Sequence, residues 1–228
     1  MMIYLIVVIS SCIGSFLYCI NTNNISSRRS KCDHCDHILG ALDLIPIVSY
    51  IYLKGRCRYC HAKIKFDHLF WELISVILYC LIYLQKGINK DTYLLYVMTF
   101  IFISLSIKDY YYLYIPDYYH LILIILRLLT LNNYYEIKSC LLSGLFISLT
   151  LLVISIFTSR LMHEEVMGFG DIKLFFALGL YFNYYSNLII LLLSAIMGLI
   201  YCLLLKKYDK FAYGPLICLS YYVFLLIK

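Results

Sequence analysis

The sequence predicts an all-α integral membrane protein of about eight transmembrane helices, with one long polar loop between the first and the second. Of its 228 residues, 63% are hydrophobic and only 14% charged, against roughly 25% charged in an ordinary soluble domain. The apolar residues fall in blocks close to the ~20 residues a helix needs to cross a hydrocarbon core. Short polar breaks part these blocks, except between Asn21 and Phe66, where a longer segment gathers basic residues and cysteines.

The first block, 1–20, has no basic residue ahead of its apolar run and leads into a strongly basic loop. It therefore reads as a retained helix and not as a cleaved secretory signal. The loop, 21–66, carries Arg28, Arg29, Lys31, Lys54, Arg56, Arg58, Lys63 and Lys65, which by the positive-inside rule places it in the cytoplasm and the N-terminus outside. Blocks at 67–85, 93–107, 117–131, 139–159, 170–182, 186–205 and 213–227 make up the remaining core, 67–228. Those at 117–131 and 170–182 are short, as expected of helices that lie partly in the interface or are broken and packed among the others. Eight crossings put Lys108, Arg160, Lys173, Lys206, Lys207 and Lys210 on the side of the basic loop, and leave Lys86, Lys90, Lys138 and Lys228 opposite. Membrane orientation thus accounts for the net charge of +6. With no basic stripe interleaved with aromatics, no nucleic-acid partner is expected; the expected surroundings are membrane lipid.

Within the loop stand Cys32-Asp33-His34-Cys35 and Cys57-Arg58-Tyr59-Cys60, two CxxC knuckles separated by 21 residues. Cys32, Cys35, Cys57 and Cys60 could close a tetrahedral zinc site, and a short loop with little core gains folding energy from such a metal. A reducing cytoplasm favours zinc-held thiolates over disulfides, the alternative being free or redox-active thiols. Four sulfurs leave no position for a water, so this zinc is expected to be structural. Cys12, Cys19, Cys80, Cys140, Cys202 and Cys218 lie in or beside apolar blocks, where cysteine acts as a small hydrophobic residue.

Chemistry is then sought among the acids, because an ionisable group at a membrane helix end is costly unless it is used. Asp109, in Ser106-Ile107-Lys108-Asp109, and Asp171, in Gly168-Phe169-Gly170-Asp171-Ile172-Lys173, fall at the same depth on the same side, 62 residues apart. Facing one another across a wet cleft, two carboxylates would share a proton, one activating water and the other polarising a peptide carbonyl. Gly168 and Gly170 would let the backbone bend and approach a bound peptide. On residue types alone, two other readings stay open: Asp171 on a helix dipole with Asp109 paired to Lys108 or Lys173, and a cation pathway. Asp117, after Pro116, is expected to cap the helix it begins.

These residues together resemble the type IV prepilin peptidases, or leader peptidase/N-methyltransferases, along the whole chain. Gly14-Ser15-Phe16-Leu17 looks like the family's opening GSFL. The two CxxC pairs follow, with Asp43-Leu44-Ile45-Pro46-Ile47-Val48-Ser49-Tyr50 between them, and then Glu72. Asp109 to Asp117 resembles the segment that opens on a catalytic aspartate and closes on Pro-Asp, and Glu165-Val166-Met167-Gly168-Phe169-Gly170-Asp171-Ile172-Lys173-Leu174 is close to the EAMGxGDxKL block. Gly214-Pro215 matches a family Gly-Pro, whereas Asn21 to Ser27 lacks the family's short Arg-Leu-Pro stretch. The resemblance implies a bacterial inner-membrane aspartyl protease. It would remove the basic leader of prepilins or pseudopilins at the cytoplasmic face through Asp109 and Asp171, with Gly168, Gly170, Lys173 and Glu165 binding substrate or shaping the site. It further implies methylation of the new N-terminus with S-adenosylmethionine. Glu164 and Glu165 would attract the basic leader by charge, the alternative being plain solvated loop charges.

Overall fold

The computed structural model describes residues 2–22, 30–131, 134–162, 167–205 and 211–227. Its helices in chain order are α1 (Met2–Asn21), α2 (Val48–Tyr52), α3 (Phe66–Lys86), α4 (Lys90–Tyr112), α5 (Asp117–Leu129), α6 (Tyr134–Met162), α7 (Phe169–Gly179), α8 (Tyr184–Leu205) and α9 (Gly214–Ile227). Every apolar block has become a helix, but the count of eight crossings is not reproduced. Among the described residues, five helices are long and apolar enough to cross a membrane: α1, α3, α4 from Thr92, α6 and α8. Of the other four, α2 has 5 residues and α5, α7 and α9 have 13, 11 and 14. At 1.5 Å per residue, α7 is about 16 Å long, near half of the ~30 Å hydrocarbon thickness.

The chain divides into two compact units, Met1–Ile107 and Lys108–Lys228. In the first, α1 lies against α3 at a small-residue contact. A Cβ on Gly14 would clash with Ser75 Oγ and stand 2.8 Å from the Trp71 carbonyl, so only glycine permits this approach. Ser75 Oγ donates to the Ser10 carbonyl at 2.6 Å across the same seam. Asn21 at the end of α1 bonds to Ser104 Oγ of α4 at 2.9 Å. Helix α3 opens with Asp67 in its first turn and closes with Lys86 in its last, both favourable to the helix dipole, and stops at Gly87, whose φ of 69° an L side chain rarely adopts.

Between α1 and α3 the two knuckles are backbone copies of one another. Cys32 N–H donates to the His37 carbonyl and Cys57 N–H to that of Ala62; Asp36 N–H returns to Cys32 and His61 N–H to Cys57. Asp36 and His61, at matching positions, both have positive φ. The segment joining the knuckles is tied to the helices by Glu72, whose Oε2 accepts the Ile47 N–H at 2.7 Å. That bond holds a strained turn: Ile47 sits at φ 63°, ψ −53°, and Val48 N–H reaches the Pro46 carbonyl, a γ-turn that β-branched residues seldom enter. Asp43, nearly buried, forms an ion pair with Arg58 at 2.8 Å, in an alignment too poor for a hydrogen bond.

In the second unit α7 is the central element, packed on α5, α6 and α9. Gly144 of α6 and Gly179 of α7 meet directly, a Cβ on Gly179 standing 3.0 Å from the Gly144 Cα. Because α7 ends after 11 residues, the polar backbone that follows must be satisfied inside an apolar bundle. Side chains from three helices do this. Asn187 Nδ2 donates to the Gly179 carbonyl at 2.9 Å, Arg127 Nε to that of Leu180 at 2.9 Å, and Ser143 Oγ to that of Phe182 at 2.9 Å. Arg127 also lies over the Tyr181 ring, which spreads its charge onto an aromatic face.

Candidate active site

Asp109 lies in the last turn of α4 and is only 6% exposed. Its Oδ2 accepts the N–H of Gly214, the first residue of α9, at 2.8 Å. Asp171 is the third residue of α7, in the turn where its own N–H bonds the Gly168 carbonyl at 3.1 Å. The two carboxylates lie within electrostatic reach of each other, and Tyr213, next to Gly214, is within reach of Asp171. The Tyr213 hydroxyl is held by Ser194 Oγ at 2.9 Å. Three helix ends, those of α4, α7 and α9, therefore converge on one pair of acids within a single compact unit.

Other residues expected at the site are placed differently. Gly168 has ordinary extended angles, φ −69° and ψ 140°, and Gly170 is not among the positive-φ residues. At either, a Cβ would meet its nearest neighbour at 3.5 Å, an ordinary contact. Neither glycine is demanded by its backbone angles or by lack of space; at this site the crowded glycine is Gly214, whose Cβ would stand 2.8 Å from Asp109 Oδ2. Lys173 donates to Asp117 Oδ1 at 2.8 Å. This bond and its charge hold the Asp117 carboxyl below its ordinary range. Asp117 is not the cap of α5, because Pro116 occupies the N-cap position and the Asp117 carboxylate is engaged by Lys173. Glu164 and Glu165 lie outside the described residues.

His120, which the sequence did not single out, is 5% exposed and brings Nε2 to 3.2 Å from the Gly170 carbonyl. Its only signal in the sequence is its place three residues after Asp117, on the same face of α5. The N–H of Gly214 could not be read either: Gly-Pro was recognised, but a backbone donor has no residue-type signature.

Cys32, Cys35, Cys57 and Cys60 bring their sulfurs within 4.8 Å of one another. A tetrahedral zinc site with bonds of ~2.3 Å has sulfurs about 3.8 Å apart, and Cys32 and Cys60 stand 3.8 Å apart. Backbone N–H groups of His34 and Cys35 favour the Cys32 thiolate, the form that a metal requires, while the neighbouring sulfurs push the Cys35 thiol the other way. The cluster fits a metal ion.

The family model of the Bacterial Peptidase A24 N-terminal domain matches residues 7–86, and that of the Type IV leader peptidase family residues 96–203. A prepilin leader peptidase/N-methyltransferase of Aeromonas salmonicida (strain A449) is 29% identical over 211 residues, covering 89% of this chain and 72% of that protein. The protein of the same description from Neisseria gonorrhoeae is 30% identical, with 87% and 71% covered. That from Legionella pneumophila is 31% identical, with 86% and 71% covered. No solved structure matches. Matched in order by both family models, and at least 30% identical to relatives that it covers over 71% of their length, the chain belongs to the prepilin leader peptidase/N-methyltransferase family.

Proposed function

We propose that this protein cleaves the basic leader from type IV prepilins or pseudopilins by aspartyl proteolysis at the cytoplasmic face of the bacterial inner membrane. The observation that supports the reading is that Asp109 is bonded to the first residue of α9 while Asp171 stands in the first turn of α7, which packs on α9. Two carboxylates so placed hold one proton between them. The Gly214 N–H on Asp109 Oδ2 stabilises charge there, so Asp109 takes the proton from the attacking water. Asp171 carries the shared proton and gives it to the scissile carbonyl oxygen, building the tetrahedral intermediate; on collapse Asp109 passes the proton taken from water to the leaving nitrogen, Asp171 takes one back from a hydroxyl, the C–N bond breaks and the amine of the mature pilin departs. A pilin precursor, an apolar helix preceded by a basic leader, would present its junction at this face.

Zinc held by Cys32, Cys35, Cys57 and Cys60 would fix the fold of the loop and take no part in hydrolysis. S-adenosylmethionine would supply the methyl group for the new N-terminus, an activity carried over from the names of the relatives. The test is mass spectrometry of a prepilin incubated with purified protein. Leader loss should fall on the order of 10²- to 10⁴-fold in both Asp109→Asn and Asp171→Asn, and cleavage surviving in either refutes the dyad. With S-adenosylmethionine present, a gain of one methylene by the product reports methylation.

A further inference from the structure

Asp171 is flanked by two residues that are each fastened to α5. On one side, the Gly170 carbonyl lies 3.2 Å from His120 Nε2. On the other, Lys173 Nζ lies 2.8 Å from Asp117 Oδ1. Of these two ties the lysine one is solvent-exposed, with side chains 54% and 66% accessible, whereas the His120 side chain is 6% accessible. The lysine tie is therefore weak and the histidine tie is the stiff one.

We propose that His120 is a positioning residue for Asp171, acting through the Gly170 peptide, an inference that rests on the aspartyl reading above. A carbonyl oxygen can only accept, so the imidazole proton resides on Nε2. Nδ1, buried and without a hydrogen-bond partner, stands 3.7 Å from Asp117 Oδ1. The Nε2 proton is thus a donor aimed at one atom. That atom belongs to the peptide plane that contains the Asp171 nitrogen and ends at its Cα. Holding the oxygen fixes the plane from which the catalytic side chain departs, leaving Asp171 only its own φ and side-chain torsions. Apolar packing around His120 would be equally well served by phenylalanine; the buried donor is what phenylalanine lacks.

The experiment compares prepilin cleavage by wild type, His120→Phe, His120→Gln and Asp171→Asn. His120→Phe should lower kcat about 10- to 100-fold, as misplacement of a reacting group does, with KM within about threefold. His120→Gln, which restores an N–H donor, should recover kcat to within about threefold. Wild-type kcat in His120→Phe beside an inactive Asp171→Asn overturns the positioning role and leaves the dyad standing; equal losses in the Phe and Gln variants overturn it as well. Cleavage by Asp171→Asn removes the dyad and this role together. Should His120→Phe fail to fold, nitrogen NMR of the wild-type protein reads the tautomer without any substitution. A proton on Nε2 is the expected result, and a proton on Nδ1 overturns the proposal.

Discussion

Replacing Gly214 by alanine tests whether the backbone around Asp109 is built for catalysis. The added Cβ would stand 2.8 Å from Asp109 Oδ2, 3.2 Å from Cγ and 3.3 Å from Cβ, whereas ordinary contact begins at 3.4 Å. The carboxylate must therefore move by about 0.6 Å, and being 6% exposed it has little room to do so. The move stretches a hydrogen bond that is now 2.8 Å long. A bond to a charged group is worth about 1.5–3 kcal/mol, and at 1.4 kcal/mol per tenfold its loss lowers the rate about 10- to 100-fold. Helix propensity runs the other way, since alanine favours a helix over glycine by about 1 kcal/mol, so a fall in rate without a fall in stability separates the two effects. The assay is prepilin cleavage in detergent, with apparent melting temperature measured alongside. A folded Gly214→Ala protein that cleaves within twofold of wild type would refute the reasoning.

Cys57→Ser should lower bound zinc from about one ion per chain to near none by metal analysis; full zinc retention would show that the four sulfurs are not the ligands. Glu72→Ala removes the carboxylate on the Ile47 N–H at 2.7 Å, a bond of about 1.5–3 kcal/mol, and frees the strained turn. Hydrogen exchange at Ile47 and Val48 should rise about tenfold or more, and unchanged protection would show that the loop is held elsewhere. Asn187→Leu strips the donor from the Gly179 carbonyl and should cost about 1–3 kcal/mol of stability. It would be read as a lowered melting temperature in detergent, and an unchanged one would mean that other groups satisfy that carbonyl.

Hydropathy made the helices legible and their crossings illegible. A block such as 170–182 is apolar in the same way whether it traverses lipid or is buried among other helices, and only the ends of α7, at Phe169 and Gly179, distinguish the two. The cysteine cluster was readable because CxxC spacing encodes ligand geometry directly, yet the kinship of the knuckles lies in backbone bonds that share only cysteines in sequence. Asp109 and Asp171 stood out because charge is rare in an apolar chain. His120 did not, because its role depends on a carbonyl 50 positions away. Gly168 and Gly170 drew attention by motif, while at the aspartates the glycine with no room for a side chain was Gly214, whose crowding comes from another helix.

The brevity of α7 has a consequence for genetics. Arg127, Ser143 and Asn187 hold the backbone beyond its far end, about 16 Å along the helix from the GFGD turn, and none touches the reacting atoms. Their loss weakens a support and removes no chemical group, and a support worth a few kcal/mol holds when cold and gives way when warm. A screen for cells that lose leader cleavage only at elevated temperature should therefore collect alleles at these three positions. One that demands complete loss at every temperature should return the aspartates.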